Sequence, residues 1–264
     1  MEKKKKRKRK EPKQKATRSD NVKDPFPSHT RPTPHDCEAV RDTLLALHPI
    51  PPELAKYRKP NHTSEPVLDG LVRTVLSQNT TDANSQRAFA SLKSSFPTWE
   101  QVLVADSKDF ENAIRCGGLA PTKASCIKNV LRSLRERTGH LCLEYLRHLS
   151  VDQVKSELSL FKGIGPKTVA CVLMFNLQQD DFPVDTHIFE IAKTMGWVPA
   201  VADRNKSYLH LNQRIPNELK FDLNCLMYTH GKLCRKCSGK KGNQQVKKCD
   251  DNSCPLLKYC TESD

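Results

Sequence analysis

The chain has 264 residues and carries 44 Lys+Arg against 30 Asp+Glu, a formal net charge of +14. That length buries a hydrophobic core without disulfide staples, as one domain or two modest ones. No stretch approaches the roughly 18 consecutive apolar residues of a membrane span, and no apolar run follows the N-terminal charges. Neither an integral membrane protein nor a secretory leader is expected.

The charge is uneven. Residues 1–23 hold twelve Lys/Arg and three acids, and Lys3 to Lys10 form an unbroken basic run. Pro12, Pro25, Pro27, Pro32 and Pro34 follow within a polar stretch. Such a segment buries too little apolar surface to offset its ordering entropy, so residues 1–36 are expected to be a disordered basic tail. The lysine run matches a nuclear-import signal in composition, and it would also tether any polyanion. A nuclear location is the expectation.

From residue 37 the periodicity is helical. Leu68, Leu71, Val72, Val75 and Leu76 form an amphipathic stripe. Gln78 and Asn79 follow it as a polar pair suited to a turn or cap. Ile127, Val130, Leu131 and Leu134 make a second stripe, and Val184, Ile188, Ile191, Ala192 and Met195 a third. No segment alternates as a half-buried strand would. The expected fold is all-α, with about ten short helices.

The stretch from Leu160 to Trp197 carries the most chemistry. Gly163-Ile164-Gly165 makes a Gly-x-Gly turn, and Pro166 suits the first position of a helix. Amides of such a turn can hold a phosphate, although a plain helix–helix turn has the same composition. Lys167 falls in the first turn of that helix, at the positive end of the macrodipole. Its pKa is therefore expected to fall, which suits a nucleophilic amine. The alternative is a phosphate contact. Asp185 opens the third stripe, where it reads both as a helix N-cap and as a fixed carboxylate beside a developing positive charge.

Eleven cysteines need explaining. Cys37, Cys116, Cys126, Cys142, Cys171 and Cys225 are scattered singly, as small buried hydrophobes are. Cys234, Cys237, Cys249, Cys254 and Cys260 cluster at the C-terminal end like metal ligands, and Cys234-x2-Cys237 is a zinc-like pair.

The Gly163-Ile164-Gly165 hairpin, Lys167-Thr168, and Phe182-Pro183-Val184-Asp185-Thr186-His187 together resemble the endonuclease III superfamily of helix-hairpin-helix, Gly-Pro-Asp DNA glycosylases. The resemblance runs over about residues 37–260. Gln78-Asn79, Phe96-Pro97, Cys116-Gly117-Gly118-Leu119 and Gly196-Trp197-Val198-Pro199 lean toward the catalytic core of the plant Demeter-type glycosylases. The resemblance implies two helical domains around a DNA-binding cleft: a six-helix barrel with the hairpin over 63–183, and a cluster-bearing helical domain from 37–62 with 184–264. It implies that Lys167 attacks the sugar of a flipped-out nucleotide, forming a Schiff base that β-eliminates, with Asp185 assisting. Gln78 and Asn79 would fill the vacated stack. Lys162 and the amides of Gly163, Ile164 and Gly165 would hold a backbone phosphate.

The resemblance further implies a [4Fe–4S] cluster. Cys254-Pro255-Leu256 to Cys260 fits the last ligand step, but the earlier gaps are longer than the family's. The ligand set is then Cys234, Cys249, Cys254 and Cys260, with Cys237 as an alternative first ligand; zinc or no metal are the rival readings. The implied activity is that of a DNA glycosylase/AP lyase of base excision repair, working as a monomer on duplex DNA with a modified base, an oxidised pyrimidine by default. A 5-methylcytosine glycosylase of the same mechanism and a non-catalytic hairpin DNA-binding protein stand as alternatives.

Overall fold

The computed structural model describes residues 23–58, 65–234, 236 and 254–260. The run Lys3–Lys10 lies outside the described residues. Among the described residues the chain is all-helical, with no strand. In chain order the helices are α1 (Pro34–Leu47), α2 (Pro52–Ala55), α3 (Val67–Leu76), α4 (Asp82–Ser95), α5 (Trp99–Val104) and α6 (Ser107–Ala113). They continue as α7 (Ala120–Thr138), α8 (Val151–Ser159), α9 (Pro166–Cys171), α10 (Thr186–Thr194), α11 (Arg204–Arg214) and α12 (Asn217–Leu233).

Side chains near each start explain many of these boundaries. Thr33, Thr98 and Ser150 form reciprocal capping boxes with Asp36, Gln101 and Gln153 at α1, α5 and α8. Thr81, Asp106, Asp185 and Asp203 cap α4, α6, α10 and α11. Gly139, at φ 76°, ends α7 in the left-handed conformation.

The helices pack around two separate hydrophobic cores. The first gathers buried residues from Val67 to Leu173, including the predicted stripes of α3 and α7. Each of those fully buried aliphatic side chains contributes about 1.5–3 kcal/mol of transfer free energy. The second core joins Cys37, Val40 and Leu44 of α1 to Met174, Trp197 and the apolar faces of α10, α11 and α12. The third predicted stripe is buried there in full.

The chain crosses from one core to the other within a single helical run. After Cys171 the helix widens into a π turn over Val172–Asn176, where Leu177 N–H reaches back five residues to Val172 O at 3.0 Å. Val172 and Leu173 stay in the first core, and Met174 enters the second. Such wide turns recur at functional sites.

Residues 23–36, expected to belong to a disordered tail, are ordered. Residues 23–33 pack against α11 and its neighbours, and α1 begins at Pro34. Asp24 Oδ1 lies 2.7 Å from His210 Nδ1, whose Nε2 lies 2.7 Å from Arg31 O. Arg31 donates to Met195 O at 2.9 Å and pairs with Asp36 at 3.1 Å. Composition misled here because a few charged anchors onto a fully buried histidine replace the missing apolar area.

The scattered cysteines divide as well. Cys37, Cys126, Cys171 and Cys225 are buried, as expected, whereas Cys116 and Cys142 are exposed. Burial pushes the Cys37 and Cys225 thiols up to about 12.

Candidate active site

Asp185 is positioned by an extended segment, residues 181–185, whose backbone bonds go largely to side chains. Phe182 N–H donates to Asn212 Oδ1 at 2.8 Å, and Asn212 Nδ2 donates back to Phe182 O at 3.1 Å. Asn224 Nδ2 donates to Pro183 O at 2.8 Å. These bonds take the place of a sheet partner for buried backbone. Asp185 then caps α10, its Oδ1 accepting from Ile188 N–H at 2.8 Å. The N-cap reading of this aspartate is correct, and the carboxylate faces a pocket at the same time. Gly231 of α12 lets α10 approach closely: a Cβ there would sit 2.6 Å from His187 Cβ.

Lys167 enters the same pocket from the opposite element. Its helix follows the predicted hairpin, α8–turn–α9. Gly163 takes φ 98°, and a Cβ on it would lie 2.7 Å from Cys126 Sγ, so the turn demands glycine twice over. Ile164 is buried in the first core, and its N–H is committed to Phe161 O at 3.0 Å. That amide therefore closes the turn. Gly163 and Lys162 are exposed and Gly165 is half-buried at the N-cap of α9, with Pro166 at its first position.

The pocket has a volume of about 450 Å³, within the usual range for small-molecule sites. Lys167 and Asp185 both line it. Its walls come from residues 51–57, α3, the start of α4, α9 with its π turn, and α12, so both cores contribute. The Lys167 side chain is solvent-accessible but has protein around it within this concavity.

The electrostatics of Lys167 run against the sequence expectation. Its pKa is raised, not lowered. The sulfur of Cys171, one turn along the same face of α9, is the largest cause, and it also hydrogen-bonds the amine; the Asp185 carboxylate adds to this, and Asp82 less. Together these outweigh burial. Burial in turn raises the Cys171 thiol despite the neighbouring ammonium. The resting site therefore holds Lys167 as an ammonium, and the Cys171 effect on it is felt only where that thiol ionises.

The predicted gap-filling pair lies at the α3–α4 turn. Gln78 Nε2 donates to Thr168 Oγ1 at 3.1 Å, tying this turn to the residue after Lys167. Asn79 is exposed with φ 50°, a left-handed position that asparagine tolerates. Thr81, not this pair, caps α4.

Several site residues had not been singled out from the sequence. Asp82, at the start of α4, accepts from Tyr228 Oη at 3.1 Å and pairs with Lys232 Nζ at 2.6 Å. Tyr228 and Lys232 are one turn apart on α12, so this link joins the two sides of the pocket. Burial, then Asp82, raises the Tyr228 phenol. The available signals were the i,i+4 spacings Lys167/Cys171 and Tyr228/Lys232, which gain meaning only once the opposing wall is known.

Of the expected metal ligands, Cys234 and Cys254 come together. His230 joins them, and the three donor atoms lie within 4.8 Å of one another. His230 Nδ1 lies 3.1 Å from His48 Nε2, and its Nε2 lies 3.5 Å from Cys254 Sγ. Cys260 Sγ is 3.6 Å from Leu256 O and stands apart from that group. Cys237 and Cys249 lie outside the described residues. Two thiols and an imidazole are a soft donor set that suits iron–sulfur or zinc chemistry.

The family model for the helix-hairpin-helix/GPD superfamily of base excision DNA repair proteins matches residues 72–217. The chain belongs to this superfamily. An Arabidopsis thaliana protein named as a candidate DNA glycosylase is 58% identical over 258 residues, 89% of this chain and 88% of its own length. Endonuclease III of Sulfolobus acidocaldarius is 28% identical over 196 residues, 74% of this chain and 81% of its own. The Arabidopsis DNA glycosylase/AP lyase ROS1 is 30% identical over 179 residues, 61% of this chain but 12% of its own. Among solved structures, an endonuclease III bound non-covalently to DNA superposes with a TM-score of 0.67, covering 86% of this chain and 95% of that one at 23% identity. The fold of this superfamily member is thus that of endonuclease III, and the matched stretch includes the hairpin, Lys167 and Asp185.

Proposed function

We propose that this protein is a bifunctional DNA glycosylase/AP lyase that excises a modified base, an oxidised pyrimidine, from duplex DNA. The observation that carries the reading is the convergence of Lys167 and Asp185 on one pocket walled by both cores. The target nucleotide leaves the stack, at a cost of about a few kcal/mol, to bring its C1′ into this pocket. Lys167 Nζ, an ammonium at rest, first gives up a proton, and Asp185 is the carboxylate beside it to take it. The free amine then attacks C1′. The C1′–N bond breaks, the base departs with its electron pair and is protonated, and the sugar opens to a Schiff base on Lys167. Loss of a C2′ proton expels the 3′ phosphate and nicks the strand. Asp185, fixed by its Ile188 bond, passes the proton it took to the departing base and, ionised again, stabilises the positive charge that develops on the sugar.

Lys162 and the hairpin around Gly163 and Gly165 would hold a backbone phosphate and set the register of the DNA. Gln78 and Asn79, beside the α9 start, would occupy the gap left by the flipped base. Cys234 and Cys254, with Cys249 and Cys260, would hold a [4Fe–4S] cluster as a structural element away from the pocket. Among the described residues, only two of those thiols converge, and His230 beside them favours zinc as the second reading. The protein acts as a monomer, and the Lys3–Lys10 run directs it to the nucleus.

Borohydride trapping tests the mechanism. Wild type on an abasic duplex should give a covalent adduct that Lys167→Gln does not give. DNA binding without any adduct from wild type would leave a non-catalytic hairpin protein, or a glycosylase that uses water.

A further inference from the structure

Lys167 and Asp185 stand on two arms of the chain, and a buried carboxylate outside their pocket ties those arms together. Asp181 is fully buried, four residues before Asp185 in the extended segment. Its Oδ1 accepts from Phe182 N–H at 2.8 Å. Its Oδ2 accepts from Tyr208 Oη of α11 at 2.9 Å and from Lys155 Nζ of α8 at 2.9 Å. All three neighbours donate, as an ionised carboxylate requires. Lys155 Nζ also lies 5.4 Å from the centre of the Tyr208 ring. Lys220 of α12 is buried nearby; burial lowers its amine, and Asp181 and Asp180 oppose that.

Chain order gives this ion pair its consequence. Lys155 stands on the helix that enters the hairpin, Lys167 on the helix that leaves it, and Asp181 begins the segment that delivers Asp185. The helices α8 and α9 pack on each other. The Lys155–Asp181 pair therefore closes a loop of chain with Lys167 inside it and Asp185 just past its end. Gln179 Nε2 adds a tie to Leu149 O at 2.8 Å, just before α8. A buried ion pair is weak as a source of net stability, and its best use is to specify one arrangement of the parts it joins.

We infer that Asp181 and Lys155 are positioning residues whose ion pair sets the distance between Lys167 and Asp185. This rests on the lysine mechanism proposed above and adds to it the latch that holds its two groups in register. Without the pair, the hairpin helices and the 181–185 segment are free to shift, and a misplacement of about 1 Å costs roughly 10²-fold in rate. Cys171 travels with Lys167 on α9, so the contribution to the Lys167 pKa that changes is that of Asp185.

The test compares wild type, Lys155→Met, Lys155→Arg and Tyr208→Phe. Single-turnover borohydride trapping on an abasic duplex gives the rate. NMR of isotope-labelled lysine gives the Lys167 pKa in the free protein, its signal assigned by its loss in Lys167→Gln. Charge and position predict opposite signs for Lys155→Met. Removing a positive charge would by itself raise the Lys167 pKa. Retreat of the Asp185 carboxylate lowers it, since that carboxylate helps hold it up. Lys155→Met should therefore lower the Lys167 pKa and slow trapping by about 10- to 100-fold. Lys155→Arg, which keeps the charge, should stay close to wild type in both. Tyr208→Phe alters no charge, should move both in the same direction by less, and decides the matter if Lys155→Met does not fold. A Lys167 pKa that rises or stays put in the deciding variant would overturn the assignment. If wild type gives no adduct, the lysine mechanism fails separately, and the latch is judged by the NMR titration alone.

Discussion

Replacing Asp185 by asparagine separates the two duties of that residue. Its carboxylate caps α10 through one 2.8 Å bond from Ile188 N–H. Asparagine caps a helix about as well as aspartate, so Asp185→Asn keeps the bond and loses only the charge–dipole contribution, about 0.3–1 kcal/mol. Asp185→Ala loses the cap as well, about 0.5–2 kcal/mol. Activity should divide differently. Both variants remove the carboxylate beside Lys167, and each should slow abasic trapping by about 10²- to 10⁴-fold, the usual worth of a positioned acid–base group. The pH profile carries an independent sign. Cys171 and then Asp185 raise Lys167, so the amine stays protonated to higher pH than an ordinary lysine. Removing the Asp185 charge lowers the Lys167 pKa, and the rising limb of trapping against pH must move to lower pH. The assay is single-turnover borohydride trapping across the neutral to alkaline range, with urea melts of all three proteins. An asparagine variant as fast as wild type, with an unmoved limb, would refute the catalytic role. An asparagine variant as unstable as the alanine one would refute the capping argument.

Gly163→Ala forces a side chain into φ 98° and against Cys126 Sγ; it should cost about 2–4 kcal/mol, split between backbone strain and overpacking. Adding Cys126→Ala should recover the packing part only, and an additive double variant in urea melts would contradict this. Lys123 is fully buried, with its ammonium donating to Leu76 O at 2.7 Å and Gly117 O at 2.8 Å. Lys123→Met should lower stability by about 2–4 kcal/mol by leaving two carbonyls unpaired, and a melt within 0.5 kcal/mol of wild type, by order of magnitude, would show that water replaces the amine. Elemental analysis of purified protein should find iron and labile sulfide, with loss of the visible charge-transfer band in Cys254→Ala. One zinc per chain, lost on His230→Ala, would assign the site to zinc instead.

Helix periodicity was open to reading in this sequence because apolar stripes such as Leu68 to Leu76 report burial directly, through spacing alone. The hairpin was legible for a similar local reason, the positive φ that Gly163 needs, whereas the space it needs against Cys126 is a tertiary contact. Asp185 could be read as a cap from its place before α10, and family spacing paired it with Lys167. The proton balance of that lysine was not legible. Local reasoning saw only a helix N-terminus and pointed to a lowered pKa, whereas the folded chain sets Cys171 and Asp185 beside the amine and raises it. The order of residues 23–33 was hidden for the same reason, since His210 and Arg31 become partners only through long-range packing. The sequence by itself determined the helices and the turn, because each depends on neighbours a few residues away. Tertiary structure alone decided the pocket wall, the charge state at Lys167 and the His230–Cys234–Cys254 grouping. Those depend on electrostatics and contacts that fall off over a few ångströms between segments far apart in the chain.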